Sequence, residues 1–240
     1  MTSILSIVSI LATTASICML SAPIVTVRKL EQQRSIGIMT PTFFCAQLAS
    51  SVVWSIYGVI QVAFGVILCN VVGNAIATYC LLVFLSVARQ EEKSGHTLAS
   101  TTYKKSCLTV LIALSFMMGA SFVIVLLISI KPELAKFFNG LLGSCCSVFM
   151  LSSPLGMAGT IIKNKNAEGL APLTMSFALV NTFLWVLYGL LTSDLFISVP
   201  NFLGLSSCIF QFFLLFLYGK KPAETTAVKA GIAPLPFVGE

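Results

Sequence analysis

The residues in this chain best suited by type and spacing to bind a solute are two tryptophan–asparagine pairs. Trp54 is followed by Asn70 and Trp185 by Asn201, at the same interval. An indole stacks on the C–H face of a pyranose, and a carboxamide both donates to and accepts from hydroxyls. Each residue taken singly has a competing reading, since tryptophan anchors helices at a membrane interface and asparagine hydrogen-bonds between them. Duplicated together, they favour a pocket for a neutral, polyhydroxylated solute. The rest of the reactive inventory is thin. The eight cysteines (Cys18, Cys45, Cys69, Cys80, Cys107, Cys145, Cys146, Cys208) lie in or beside apolar runs with no CxxC spacing, and the single histidine, His96, is in a polar loop. Neither a metal site nor a disulfide framework has its ligands in place. No cofactor, metal or enzymatic activity is expected.

The elements that must position these residues follow from composition. Of the 240 residues 57% are hydrophobic and only 9% charged, with a mean hydropathy of +0.99. Soluble domains carry about 25% charged residues, so the chain is expected to be an integral membrane protein. Seven apolar runs, at about 3–27, 38–60, 64–87, 107–130, 137–162, 170–191 and 195–218, are each long enough to cross about 30 Å of hydrocarbon as a helix. Barrel strands would be half that length and alternating. The first run lacks a basic leader and exceeds a signal peptide's apolar stretch, so it too is expected to be a helix.

The net charge of +6 is no nucleic-acid signal, because the fourteen Lys and Arg residues sit in short clusters between the runs. Twelve of them fall on one side: Arg28, Lys29, Arg34, Arg89, Lys93, Lys104, Lys105, Lys163, Lys165, Lys220, Lys221 and Lys229. Lys131 and Lys136 fall on the other. The asymmetry predicts an outside amino terminus and a cytosolic tail. The tail itself, with three prolines and no apolar run, reads as disordered.

Sliding the chain by 131 residues superposes its unusual positions. Pro23 meets Pro154, Pro41 meets Pro172, Trp54 meets Trp185, Tyr57-Gly58 meets Tyr188-Gly189, Asn70 meets Asn201 and Gly73 meets Gly204. Helices one to three therefore recur as helices five to seven, with helix four as a linker. The expected fold is all-α, seven transmembrane helices in a 3+1+3 order. Its expected divisions are 1–87, a first repeat; 88–136, loop, linker helix and outer loop; 137–218, a second repeat; and 219–240, the tail. One extra crossing makes the repeats parallel, and substrates of such proteins sit near the midplane between repeats.

W-x-x-Y-G followed by N-x-x-G, with a proline near the start of each unit, resembles the SWEET (MtN3/saliva) sugar transporters over about residues 1–220. The resemblance implies bidirectional, facilitated sugar transport by alternating access. It places substrate contacts at Trp54, Asn70, Trp185 and Asn201, and inner-gate hinges at Pro23, Pro41, Pro154 and Pro172, each about one turn inside a helix at the cytosolic end. Membrane helices also tolerate proline without any such role. It implies an outer gate at Tyr57, Tyr188 and Asp194, for which an aromatic belt and a solvated loop acid are the competing reading. Plant SWEETs usually carry a smaller residue where this chain has Trp54, and bulk on both sides suggests a monosaccharide such as glucose. Bilayer-centre charge is costly and marks ion pathways, and no acid or base falls well inside a span, which points to uncoupled flux. A PQ-loop amino-acid transporter is the nearest rival, but Pro23 is followed by Ile24 and Pro154 by Leu155; a non-transport membrane scaffold is the other. A seven-helix receptor would lack the duplication. The expected setting is the plasma membrane, with an internal membrane as the alternative, and the expected partners are sugar, lipid and further copies of the chain.

Overall fold

A computed structural model describes residues 2–95, 102–150 and 152–219, with the side chains of residues 2 and 152–155 left out. The expectations for His96, for the tail beyond residue 219 and for the side chain of Pro154 lie outside the described residues.

In a bilayer the backbone must satisfy its own hydrogen bonds, and helices do so locally. Among the described residues eight helical segments are present: α1 Thr2–Gln33, α2 Thr42–Ile60, α3 Phe64–Ser94, α4 Tyr103–Ile130, α5 Pro132–Met150, α6 Ser152–Asn164, α7 Pro172–Leu191 and α8 Leu195–Tyr218. Six of these (α1, α2, α3, α4, α7 and α8) are long and apolar enough to cross a membrane by themselves. The run expected as one helix over 137–162 is described as α5 and α6, on either side of residue 151. Pro23 is carried inside α1. Helices α1 and α3 also run past their apolar stretches, through Arg28–Gln33 and Ala88–Ser94, on residues that favour helix without needing burial.

The helix order within each unit is not the chain order. In the first unit α3 packs against both α1 and α2; in the second α8 packs against α7, α5 and α6. The third helix is thus central in both. The units meet crosswise, α1 against α7 and α2 against α5, while α4 lies along α2, α3 and α5. First helix meets second helix at both contacts, as a two-fold axis along the membrane normal requires. Among the described residues the backbones of the two central helices, α3 and α8, stay more than 8 Å apart at Cα.

Two tight turns mark one end of the bundle. Between α2 and α3 the Ala63 N–H bonds the Gly58 carbonyl at 2.8 Å, and between α7 and α8 the Asp194 N–H bonds the Gly189 carbonyl at 2.8 Å. Each turn passes through one left-handed residue, Val62 and Ser193, both at φ 54°. These are Schellman closures, and they explain the glycine of the repeated motif. A Cβ on Gly58 would stand 3.0 Å from the Ile67 nitrogen, and one on Gly189 2.9 Å from the Ser198 nitrogen.

Buried packing differs between the ends. At this turn end one core is shared by both units, with Val8, Ala12, Tyr57 and Val66 beside Trp185, Tyr188 and Ile197. Towards the prolines each unit has its own, around Phe44, Cys80 and Phe84 in the first and Ile161, Leu170 and Leu214 in the second. Among the described residues the units share a core at the turn end and have separate cores at the proline end.

Candidate functional site

The gap between α3 and α8 is a cavity of ≈190 Å³. Trp54 on α2, Asn70 on α3, Trp185 on α7 and Asn201 on α8 all line it, so the four residues singled out by spacing converge. Among the described residues no charged one lines the cavity.

Most of the lining comes in pairs 131 residues apart: Ser16 with Ser147, Met19 with Met150, Ser50 with Asn181, and Val66 with Ile197, besides the two tryptophans and two asparagines. The first four pairs escaped the sequence reading. For Ser16/Ser147 and Met19/Met150 the signal was available, because the register set by the prolines continues upstream of Pro23 to Ser16; the other two pairs differ in residue type and carry none.

The repeated serines hold the indoles. Trp185 Nε1 donates to Ser16 Oγ at 2.7 Å and Trp54 Nε1 donates to Ser147 Oγ at 3.2 Å, each reaching across to the other unit. One side continues: Ser16 Oγ donates to Asn181 Oδ1 at 2.7 Å. Its counterpart position holds Ser50, too short to repeat that amide acceptor. The indole orientations are therefore fixed by bonds across the unit interface, with Trp54 also packed on Gly143 and Trp185 only 7% exposed at the cavity wall.

The amides are held in the same way twice. Asn70 Nδ2 donates to the Val66 carbonyl and Asn201 Nδ2 to the Ile197 carbonyl, both at 2.8 Å. Each back-bond fixes the side chain on its own helix and leaves Oδ1 with no protein donor among the described residues. Such a pair of carbonyl acceptors, with the remaining amide hydrogens, suits hydroxyl groups that both give and take hydrogen bonds.

Above the tryptophans lies an aromatic layer. Tyr57 packs edge-on to Trp54 at 5.4 Å and Tyr188 edge-on to Trp185 at 5.3 Å. Tyr57 Oη donates to the Asp194 carboxylate, 2.9 Å from each oxygen, and Gln61 Nε2 donates to Asp194 Oδ2 at 2.7 Å. The same carboxylate caps α8, accepting from the Phe196 N–H at 3.0 Å and the Ile197 N–H at 3.3 Å. Asp194 is 8% exposed, so the expectation of a solvated loop acid does not hold. It is buried because four donors, the Tyr57 hydroxyl, the Gln61 amide and the Phe196 and Ile197 N–H groups, replace its water. Gln61 was not among the expected gate residues. Tyr188 is buried nearby, but among the described residues no hydrogen bond joins it to Asp194. The position paired with Asp194 is Ala63, and this clasp exists once, not twice.

The prolines do not form four equivalent interruptions. Pro41 is the N-cap of α2, with φ −71°, and Pro172 is the first residue of α7. Both were expected a turn inside a helix. At a helix start the missing N–H would be unpaired anyway, so these two remove no helical bond. Pro23 is the one inside α1, and Pro154 falls within α6.

With that geometry established, similarity to known proteins is informative. The model of a family described as "Sugar efflux transporter for intercellular exchange" matches twice, over residues 6–92 and 137–223. The bidirectional sugar transporter SWEET3b of Oryza sativa subsp. japonica is 27% identical over 218 residues, 90% of this chain and 84% of that protein. The sugar transporter SWEET1 of Xenopus laevis is 27% identical over 217 residues, 88% of this chain and 92% of the other. A eukaryotic SWEET transporter structure superposes with a TM-score of 0.72 at 21% identity, over 89% of this chain and 96% of that one. At that identity the last match speaks for the fold.

Proposed function

The chain belongs to the SWEET family of sugar efflux transporters, which are transporters and not enzymes, and we propose that it is a uniporter for a neutral monosaccharide such as glucose. The observation that carries the proposal is the convergence of Trp54, Trp185, Asn70 and Asn201 on one charge-free cavity between the units. The sugar lies between the indoles, with its hydroxyls on the two amides. A volume of ≈190 Å³ is below the roughly 300 Å³ at which pockets for drug-sized ligands begin. That supports a single ring over a disaccharide.

Alternating access is supported by the uneven packing. The Tyr57–Asp194–Gln61 clasp and the shared core close the turn end, which we assign to the outside. The separate cores leave the proline end, assigned to the cytosol, free to part. In this reading the hinges are Pro23 in α1 and Pro154 in α6, with Pro41 and Pro172 fixing where the following helices begin. Neither buried carboxylate, Asp194 or Glu91, lines the cavity, so translocation proceeds without proton coupling.

The test is uptake of radiolabelled glucose, fructose and sucrose by a transport-deficient yeast expressing the chain. Saturable glucose entry that dissipates a gradient is expected. Sucrose moving faster than glucose would remove the monosaccharide assignment, and uphill accumulation in proteoliposomes under an imposed proton gradient would remove the uniport.

A further inference from the structure

The geometry points to a second binding site, away from the sugar cavity, for a neutral membrane lipid that carries a free hydroxyl group. It is a crevice of ≈440 Å³ between the turn-end halves of α1 and α3, with Tyr188 of α7 on one wall. That volume lies in the range of small-molecule sites.

The two-fold repeat shows what is unusual about it. In the second unit the corresponding place is filled: the Phe196 ring lies over Gly140, close enough that a Cβ there would collide with it. Ser144 Oγ also donates to the Phe196 carbonyl at 3.2 Å, the carbonyl that Pro200 leaves without its helical donor. Moving back by 131 residues, Phe196 becomes Gly65, Gly140 becomes Ser9 and Ser144 becomes Thr13. The benzyl plug is absent and two hydroxyls stand in its place.

Those hydroxyls converge. A Cβ built on Gly65 would meet both Ser9 Oγ and Thr13 Oγ1, so both are aimed at one spot on the crevice floor. Thr13 is 7% exposed, and its hydroxyl has no hydrogen-bond partner among the described residues. Buried hydroxyls are nearly always partnered. A C–H donor at Gly65 is a weak substitute and leaves the void above it open.

The walls select the ligand. Among the described residues no charged one lines the crevice, which argues against a phosphate head group held by Lys or Arg. Its rim includes Ile10, Phe64 and Leu68, which are 65%, 75% and 40% exposed on helices that face lipid. A hydroxyl at the floor with an apolar body along this rim describes a sterol or a diacylglycerol entering sideways from the leaflet at the turn end. A free sugar would gain the hydroxyl contacts but would have to desolvate its other hydroxyls against the rim.

The experiment uses the full chain in phosphatidylcholine liposomes with trace photoreactive cholesterol or photoreactive diacylglycerol, and adducts are mapped by peptide mass spectrometry. The expected result is labelling within residues 5–17 or 62–68 by at least one of the two. It is competed by the same unlabelled lipid, unaffected by saturating glucose, and reduced at least tenfold in Ser9→Gly/Gly65→Phe, which copies the second unit's plug. Ser9→Ala/Thr13→Val removes only the hydroxyls and serves if the plugged variant does not fold. No adduct in these segments, an adduct indifferent to the folded variants, or one competed by glucose would each overturn the assignment; the last would make the crevice a second sugar site.

Discussion

Replacing Tyr57 by phenylalanine tests the gate reading with the least collateral damage. The ring stays, and with it the edge contacts to Trp54 at 5.4 Å and Phe196 at 6.1 Å. Only the hydroxyl is lost, and it is the donor that ties α2 of the first unit to the Asp194 carboxylate at 2.9 Å. Asp194 keeps Gln61 at 2.7 Å and the Phe196 N–H at 3.0 Å, so the carboxylate is not orphaned. Asp194→Asn would be a poorer test, because it also disturbs the cap of α8. A hydrogen bond to a charged group contributes about 1.5–3 kcal/mol, and the Tyr57 bond exists only while the turn end is closed. At about 1.4 kcal/mol per factor of ten, its loss raises the ratio of turn-end-open to closed molecules by about 10- to 150-fold. Cys69 reports on that ratio, since it lines the sugar cavity and is 2% exposed. The assay is modification of Cys69 by a membrane-impermeant methanethiosulfonate added outside, followed by peptide mass spectrometry. While the open form stays a minority, the rate should rise in proportion to its population. An unchanged rate in a folded Tyr57→Phe protein would refute the claim that this bond holds the outer end shut.

Trp54→Ala should abolish glucose uptake without lowering protein level, because it removes one cavity wall; retained uptake would argue for a scaffold and against a transporter. Asn201→Leu replaces the amide by a similar volume without polar atoms and should cost glucose uptake roughly 3- to 10-fold, the equivalent of about 0.5–1.5 kcal/mol for one hydrogen bond. Ser16→Ala should destabilise more than Ser147→Ala in detergent thermal unfolding. The first orphans both the Trp185 N–H and the Asn181 carbonyl oxygen, the second only the Trp54 N–H; equal losses would contradict the asymmetric network. Gly189→Ala places a methyl against backbone atoms at Ser198 and Asp194 and should lower stability by about 1–3 kcal/mol, read by the same unfolding assay.

Length and duplication were legible in the sequence because both are written along the chain. A bilayer imposes a span on each segment locally, so seven apolar runs could be counted without knowing any contact. A repeat is a comparison of the chain with itself, and the register of prolines, tryptophans, glycines and asparagines was enough to single out four cavity residues. Depth came with it, since position along a helix is height in the membrane. What the tertiary structure alone decided is azimuth. Lipid tails are as apolar as leucine, so lipid-facing and buried sides of these helices carry the same residues, and no amphipathic stripe marks the face that lines a cavity. Hence the central place of α3 and α8 and the Gln61–Asp194 contact have no signature along the chain, and the serines that hold each indole show there only as a repeated pair. The same holds for the prolines. Their spacing was plain, but whether one lies inside a helix, as Pro23 does, or at its start, as Pro41 and Pro172 do, depends on where packing lets the neighbouring backbone begin to coil.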